Sequence, residues 1–213
     1  MILSVSKKFV FIKTRKCGGT SVQSILKPFC SNDDIVSLGF DNQINLSHPS
    51  PLSEFATIEQ VKAYTNIEGF WSFGFSRNPY AIPLSRYLFE IKRGRLNWEY
   101  PYSTNTLKKY FNKWCVSTYF EYGEGSYKKD RWSKLLLDDK SKETKVDTIF
   151  RLENFEESIN YISKRLKLPH LKLEKVNVSN TENYNFLEWN SKTTNKLIER
   201  YFELELSQWL SDE

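Results

Sequence analysis

The chain has 213 residues, the length of one ordinary domain, and can bury about 70% of the surface its unfolded form exposes, so no disulfide or metal is needed to hold its core. Hydrophobic residues at 39%, with 15% aromatic, exclude a disordered chain, and no stretch approaches the roughly 18 consecutive apolar residues of a membrane span. With 31 Lys and Arg against 26 Asp and Glu, the formal net charge of +5 favours an anionic ligand but falls short of the basic run expected of a nucleic-acid binder.

The stretch 1–13 is apolar but interrupted by Lys7 and Lys8, and it has no small-residue cleavage site. It reads as a first buried strand and not as a signal peptide, with the β-forming run 8–13 at its centre. Gly18 and Gly19 follow at once, and Val22, Ile25, Leu26 and Phe29 then recur at helical spacing. Strand, glycine turn and helix open an α/β domain. Residues 31–56 are rich in Ser, Asn, Asp and Pro and read mostly as loop, with a short strand at 35–38. A short helix is predicted over 57–64 and a strand over 70–75. Asn78 with Pro79 then forms a cap and first turn for a helix marked by Leu84, Tyr87, Leu88 and Ile91.

From 95 to 145 the pattern breaks into an aromatic-rich segment that includes Trp98, Tyr100, Tyr110, Phe111, Trp114, Tyr119, Phe120, Tyr127 and Trp132. These rings either pack a small helical subdomain or face a sugar or phenol. The charged residues 138–145 read as a solvated loop, 146–151 as a strand, and Asn154 with Glu157 as a capping pair. Phe155, Ile159, Ile162 and Leu166 then share one helical face, and a last helix is predicted over 192–210. The three cysteines (Cys17, Cys30, Cys115) form no Cys-x-x-Cys pair, so a reducing, cytoplasmic setting is expected. Two histidines, His48 and His170, are too few for a structural zinc site.

Two constellations carry chemistry. In the first, a strand ends in a glycine turn that opens a helix, which presents backbone N–H groups to an anion. Here the turn is Lys13-Thr-Arg-Lys-Cys-Gly-Gly-Thr-Ser21. The glycines allow close approach, Thr20 and Ser21 add hydroxyls, and Lys16 adds charge; on the turn alone, an ordinary strand–helix connection with surface lysines is the competing reading. It is not a Walker A loop, in which the lysine follows the last glycine. The second constellation is Arg77-Asn-Pro-Tyr80 with Ser85, placed about two turns into the following helix. Arg77 supplies a planar fork for phosphate oxygens and Ser85 a hydroxyl. The competing reading pairs Arg77 with a carboxylate and turns Ser85 to the core.

Taken together, these residues resemble the sulfotransferases that use 3′-phosphoadenosine-5′-phosphosulfate (PAPS). Lys16-Cys-Gly-Gly-Thr-Ser21 is similar to their 5′-phosphosulfate loop, and Arg77-Asn-Pro-Tyr80 with Ser85 to their 3′-phosphate signature. Phe150-Arg-Leu-Glu-Asn-Phe155 and Val176-Asn-Val-Ser179 resemble two later signatures, in family order. The nearest likeness is to the bacterial and viral branch akin to heparan sulfate 2-O-sulfotransferases. The chain departs from the family pattern at Cys17, at Ala81 and Ile82 (in place of an Asp-Arg pair), and at Pro83.

The resemblance implies one domain over 1–213 with a three-layer parallel sheet flanked by helices, a P-loop-like fold, and 95–145 as a helical, acceptor-side insertion. It implies PAPS as donor, no metal, and a hydroxyl-bearing acceptor, carbohydrate or small molecule, with neither nucleic acid nor a membrane span involved. Arg15, Lys16, Cys17, Gly18, Gly19, Thr20 and Ser21 would hold the 5′-phosphosulfate, and Arg77 with Ser85 the 3′-phosphate. Lys16 would be catalytic, and His48 the expected base, with Glu54 and Glu59 as substitutes. Three other functions stay open on the sequence, nucleic-acid binding being the last of them, with two ahead of it. One is a non-catalytic protein that binds the product bisphosphate (PAP) or a sulfated glycan, kept alive by Ala81-Ile82-Pro83; the other is a P-loop nucleotide kinase.

Overall fold

The computed structural model describes residues 1–37, 52–96, 103–121, 127–169 and 185–211. His48, His170 and the 176–179 stretch lie outside the described residues. The chain is α/β, and its described residues form a five-stranded mixed sheet ordered β3-β1-β2-β4-β5. The strands are β1 (Ile2–Ser4), β2 (Phe9–Ile12), β3 (Ile35–Val36), β4 (Trp71–Ser76) and β5 (Thr148–Arg151). The pairs β2–β4 and β4–β5 are parallel, as expected, whereas β1 runs antiparallel to both β2 and β3. The expected all-parallel sheet is therefore corrected to a mixed one.

The cause is local. The single strand predicted over 1–13 is a hairpin, because Ser6, Lys7 and Lys8 are too polar to stay in a buried run, and Lys8 turns the chain in the left-handed region at φ 52°. One carboxylate secures this turn. Asp34 accepts from the Val5 and Ser6 amides at 2.7 and 3.1 Å, the Ser4 and Ser6 hydroxyls at 2.8 and 2.7 Å, and the Ser31 amide at 2.8 Å. Burial alone would raise its pKa, but these donors hold the carboxyl below the usual carboxylate range. Its stabilising effect is therefore complete above the unfolded-state value and is lost as pH falls through the lower folded-state value. Asp34→Ala should cost at least the roughly 1.5–3 kcal/mol of one hydrogen bond to a charged group. The deficit, read by denaturant unfolding at neutral pH, should shrink as pH falls into the acid range; a constant deficit would exclude this role.

The centre of the sheet is buried on both faces: every residue of β2 and β4 is buried, as parallel strands with covered faces require. One face is aromatic, with Phe11 against Phe73 at 5.3 Å and Phe75 against Phe150 at 5.4 Å between ring centroids. On β4 the small Gly74 leaves room for the Leu136 side chain. Helices α1 (Gly19–Leu26), α2 (Ile58–Tyr64), α6 (Ser133–Leu136) and α7 (Phe155–Arg165) belong to the same compact unit as the sheet. Helix α2 has the complete capping box, Thr57 with Gln60. The expected Asn154 cap on α7 is corrected: its side chain makes no capping bond, because a 3-10 turn over Leu152–Asn154 leads into the helix.

The second compact unit holds Arg77–Arg131 and the carboxyl-terminal helices. It contains a 3-10 turn (Pro79–Ala81), α3 (Ile82–Lys92), α4 (Thr104–Trp114), a π turn (Cys115–Tyr119), α5 (Tyr127–Asp130), α8 (Phe186–Trp189), α9 (Lys192–Tyr201) and α10 (Glu203–Ser211). The predicted last helix is thus two helices, broken at Phe202, whose φ of −116° leaves the helical region while its ring is buried. Most described rings of the aromatic segment pack inward: Phe111, Tyr119, Phe120 and Tyr127 are buried, and Tyr110 is exposed. Asn112 ties α4 to α8 and α9, donating to the Trp189 carbonyl and accepting from the Ser191 amide and the Thr194 hydroxyl. Arg86 and Asp130, both buried, form an ion pair that Tyr119 joins through a 3.1 Å hydrogen bond to the carboxylate. The 95–145 segment is shared between the units, passing from the second to the first between Arg131 and Trp132. No helix of the described residues is long and apolar enough to cross a membrane.

Candidate functional site

The glycine turn leaves the carboxyl end of β2, where Thr14 is buried and its hydroxyl donates to the Phe75 carbonyl at the matching end of β4. Two residues of the turn adopt left-handed backbone, Lys16 at φ 61° and Gly18 at φ 74°. For Gly18 this suits the residue; for Lys16 it costs about 1–2 kcal/mol of strain, the kind of outlier found at ligand clamps. Helix α1 begins at Gly19, and its cap residue Gly18 has no side chain with which to cap the first turn. The amides of Gly19 and Thr20 have no acceptor within the helix by geometry. A left-handed residue directly before a helical one turns successive N–H groups toward a common point, a concavity suited to an anion.

Neither glycine of the turn has room for a side chain. A Cβ on Gly18 would stand 2.5 Å from Leu152 Cδ1, and one on Gly19 would stand 2.6 Å from Lys13 Cγ and 3.3 Å from the Thr14 carbonyl. Leu152 belongs to the Phe150-Arg-Leu-Glu-Asn-Phe155 stretch, so the first and third signatures meet directly inside one unit. Cys17 is buried, with its thiol donating to the Arg15 carbonyl at 3.2 Å. Cys17, Cys30 and Cys115 are free cysteines.

The cations of the turn are held in different ways. Lys13 reaches Glu54 at 2.8 Å in a largely buried ion pair. The Arg15 guanidinium lies 3.7 Å above the centre of the Phe55 ring, and the Lys13 ammonium lies 5.7 Å from the same centre. These contacts bear on the substitute bases. Glu54 is committed to Lys13. Glu59 is exposed on the first turn of α2 and faces Lys145 at 3.3 Å. Burial would raise its pKa, but the Thr57 hydroxyl, its own amide and Lys145 draw it below the usual carboxylate range. Glu59, drawn further below that range, is poorly suited to take a proton near neutral pH.

The second constellation starts one residue beyond β4 and falls in the other compact unit. Asn78 caps it, accepting from the Tyr80 amide at 3.0 Å. Pro79 then opens a 3-10 turn, and α3 starts at Ile82 with Pro83 in its first turn. A proline there removes no intrahelical hydrogen bond, so the helix is regular despite it. The delayed start corrects the position of Ser85, which lies in the first turn of α3 and not two turns in, and is buried at 4% exposure. Ala81, Ile82 and Pro83 are also buried, so all three serve packing. The Tyr80 hydroxyl donates to Glu199 at 3.2 Å, and its carbonyl accepts from Asn190.

The structure thus brings Arg15, Lys16, Cys17, Gly18, Gly19, Thr20 and Ser21 into one turn and sets Arg77 and Ser85 in the second unit. His48 lies outside the described residues. Sequence reasoning missed the role of Phe55 against Arg15 and of Leu152 against Gly18. Neither residue carries a chemical group that a motif search selects. No family model, curated protein or solved structure matches the chain.

Proposed function

We propose that the protein is a PAPS-dependent sulfotransferase, which moves a sulfuryl group to an acceptor hydroxyl and releases PAP. The observation that carries this reading is the turn after β2. It offers an anion the Gly19 and Thr20 amides at the start of α1, with Arg15 and Lys16 just before them in the chain and Leu152, from a second signature, packed against Gly18. Gly18 has no room for a Cβ beside Leu152, so its backbone stays bare next to the amides that would meet a phosphate or sulfate oxygen.

In the reaction, the acceptor oxygen bonds to sulfur as the bond from sulfur to the 5′-phosphate oxygen breaks. PAPS supplies the activated sulfuryl group; the chain supplies position and charge. The turn amides and the Thr20 and Ser21 hydroxyls hold the 5′-phosphate, and the Lys16 ammonium neutralises charge that grows on the departing oxygen. Arg77 and Ser85 take the 3′-phosphate on the strength of the resemblance alone, and His48 receives the acceptor proton on the same ground. With Glu54 and Glu59 both engaged by lysines, His48 is the base this reading retains.

The test is thermal unfolding with PAP, adenosine 5′-phosphosulfate or ATP, followed by turnover of PAPS with candidate acceptors. A ligand specific to the folded form adds about 2.7 kcal/mol at a hundredfold excess over its dissociation constant. PAP should stabilise most, adenosine 5′-phosphosulfate less. Stabilisation by ATP with no effect of PAP would favour the kinase, and PAP stabilisation without turnover on any acceptor would favour the binding protein.

A further inference from the structure

The chain leaves β2 after Ile12, and the second residue beyond it, Thr14, is tied back to the sheet by its side chain. We infer that Thr14 is a positioning residue: its hydroxyl pins the first step of the glycine turn to β4 and so sets where the α1 amides stand for an anion. The inference rests on the turn being an anion site, and it deepens the reading above by naming what holds that site in place.

The argument starts from where the ladder stops. The last residues paired between β2 and β4 are Ile12 and Gly74, whereas β4 stays paired with β5 as far as Ser76. Phe75 therefore lies past the paired part of β2, and its carbonyl accepts from the Thr14 hydroxyl at 2.5 Å. Thr14 is 1% exposed and Phe75 0%, so water cannot take over that bond. A side chain thus supplies a tie to β4 where the backbone of β2 turns away. Thr14 also meets the start of α1. A Cβ on Gly19 would stand 3.3 Å from the Thr14 carbonyl and 2.6 Å from Lys13 Cγ, and the far end of Lys13 is held by Glu54 at 2.8 Å. Gly19 therefore rests on two anchored residues, and in a close-packed interior a shift of Thr14 passes to it by direct contact. All of these groups belong to the first compact unit.

The expected effects concern affinity. In Thr14→Val a methyl group replaces the hydroxyl and cannot approach the carbonyl oxygen closer than about 3.3 Å, so the turn must move away from β4 by roughly 1 Å. Displaced amides lose alignment with a charged ligand, and anion affinity should fall at least about tenfold, the loss of one hydrogen bond to a charged group. Thr14→Ala removes the bond without the clash and should weaken binding by a smaller factor. Thr14→Ser keeps the hydroxyl and should bind close to the wild type. Asp34→Ala is the control: Asp34 secures the hairpin of the same unit and none of its hydrogen bonds reaches the turn, so stability should fall with affinity unchanged.

The experiment is calorimetric titration of the wild type, Thr14→Val, Thr14→Ala, Thr14→Ser and Asp34→Ala with PAP and with inorganic pyrophosphate, below the melting temperature of each. Weaker binding in Thr14→Val and Thr14→Ala, rescue in Thr14→Ser and no loss in Asp34→Ala would support the inference. Lower melting temperatures in Thr14→Val and Thr14→Ala with unchanged affinity would mark the bond as merely structural and overturn it. An equal loss in Thr14→Ser, or in Asp34→Ala, would overturn it too, since the hydroxyl or the turn would then not be what matters. Should Thr14→Val fail to fold, Thr14→Ala against Thr14→Ser decides. With both probes bound by the wild type, these failures leave the sulfotransferase reading standing. Pyrophosphate binding with the expected pattern but no PAP binding would overturn that reading alone. No binding of either probe by the wild type would overturn both.

Discussion

Lys16→Ala is expected to lower sulfuryl transfer by at least about 10²–10³-fold, the loss typical of one preorganised group facing charge that develops in the transition state. PAP affinity should change far less, because the Gly19 and Thr20 amides and Arg15 remain. An interaction made only in the transition state shows as equal falls in kcat and kcat/KM. The backbone gives this prediction a control. Lys16 sits at φ 61°, and alanine keeps a Cβ, so Lys16→Ala leaves the strain of the turn in place. Lys16→Gly removes the strain as well as the ammonium and should be more stable than Lys16→Ala by about 1 kcal/mol. Both variants should be inactive while still binding PAP in calorimetry. Full activity in either would remove Lys16 from the reaction, and loss of PAP binding in both would move it from transfer to donor binding.

The second large effect is expected at Gly18. Gly18→Ala places a side chain in left-handed backbone at φ 74° and brings its Cβ to 2.5 Å from Leu152 Cδ1. The conformation costs about 1–2 kcal/mol and the overpacking roughly 1–3 kcal/mol. For a chain of this length each kcal/mol moves the melting temperature by about 2–4 °C. The two costs can be separated, since the clash involves the end of a flexible side chain and the strain does not. Leu152→Ala should therefore relieve part of the Gly18→Ala penalty, giving a double variant less destabilised than the sum of the singles. Donor affinity should remain poor in the double variant, because the left-handed turn still carries a Cβ. Strict additivity would show that Leu152 does not support the turn.

Much of the first unit was legible in the chain. The run Phe9-Val-Phe-Ile12, the glycine pair and the spaced Val22, Ile25 and Leu26 gave strand, turn and helix with bounds close to those observed. The run that became β4 and the Asn78–Pro79 stop were equally clear, because proline and side-chain caps act within a few residues. The hairpin at the amino end was missed, since Asp34, which gathers its amides and hydroxyls, is far away in sequence. Ser85 was misplaced because the 3-10 turn before α3 absorbs three residues that periodicity counts as helix. The break at Phe202 was missed because its ring is buried like the helical positions around it.

The sequence by itself determined the chemistry available at the turn. Two glycines after a buried strand, with Arg15 and Lys16 before them and Thr20 and Ser21 after, specify exposed amides, charge and hydroxyls through short-range backbone rules alone. Only the tertiary structure decided how that chemistry is held. Phe55 reaches Arg15, Glu54 reaches Lys13 and Leu152 fills the space beneath Gly18. These partners stand 40 residues or more from the groups they touch. Stacking, ion pairing and close packing depend on proximity in space, and no local spacing rule encodes which distant side chain supplies it.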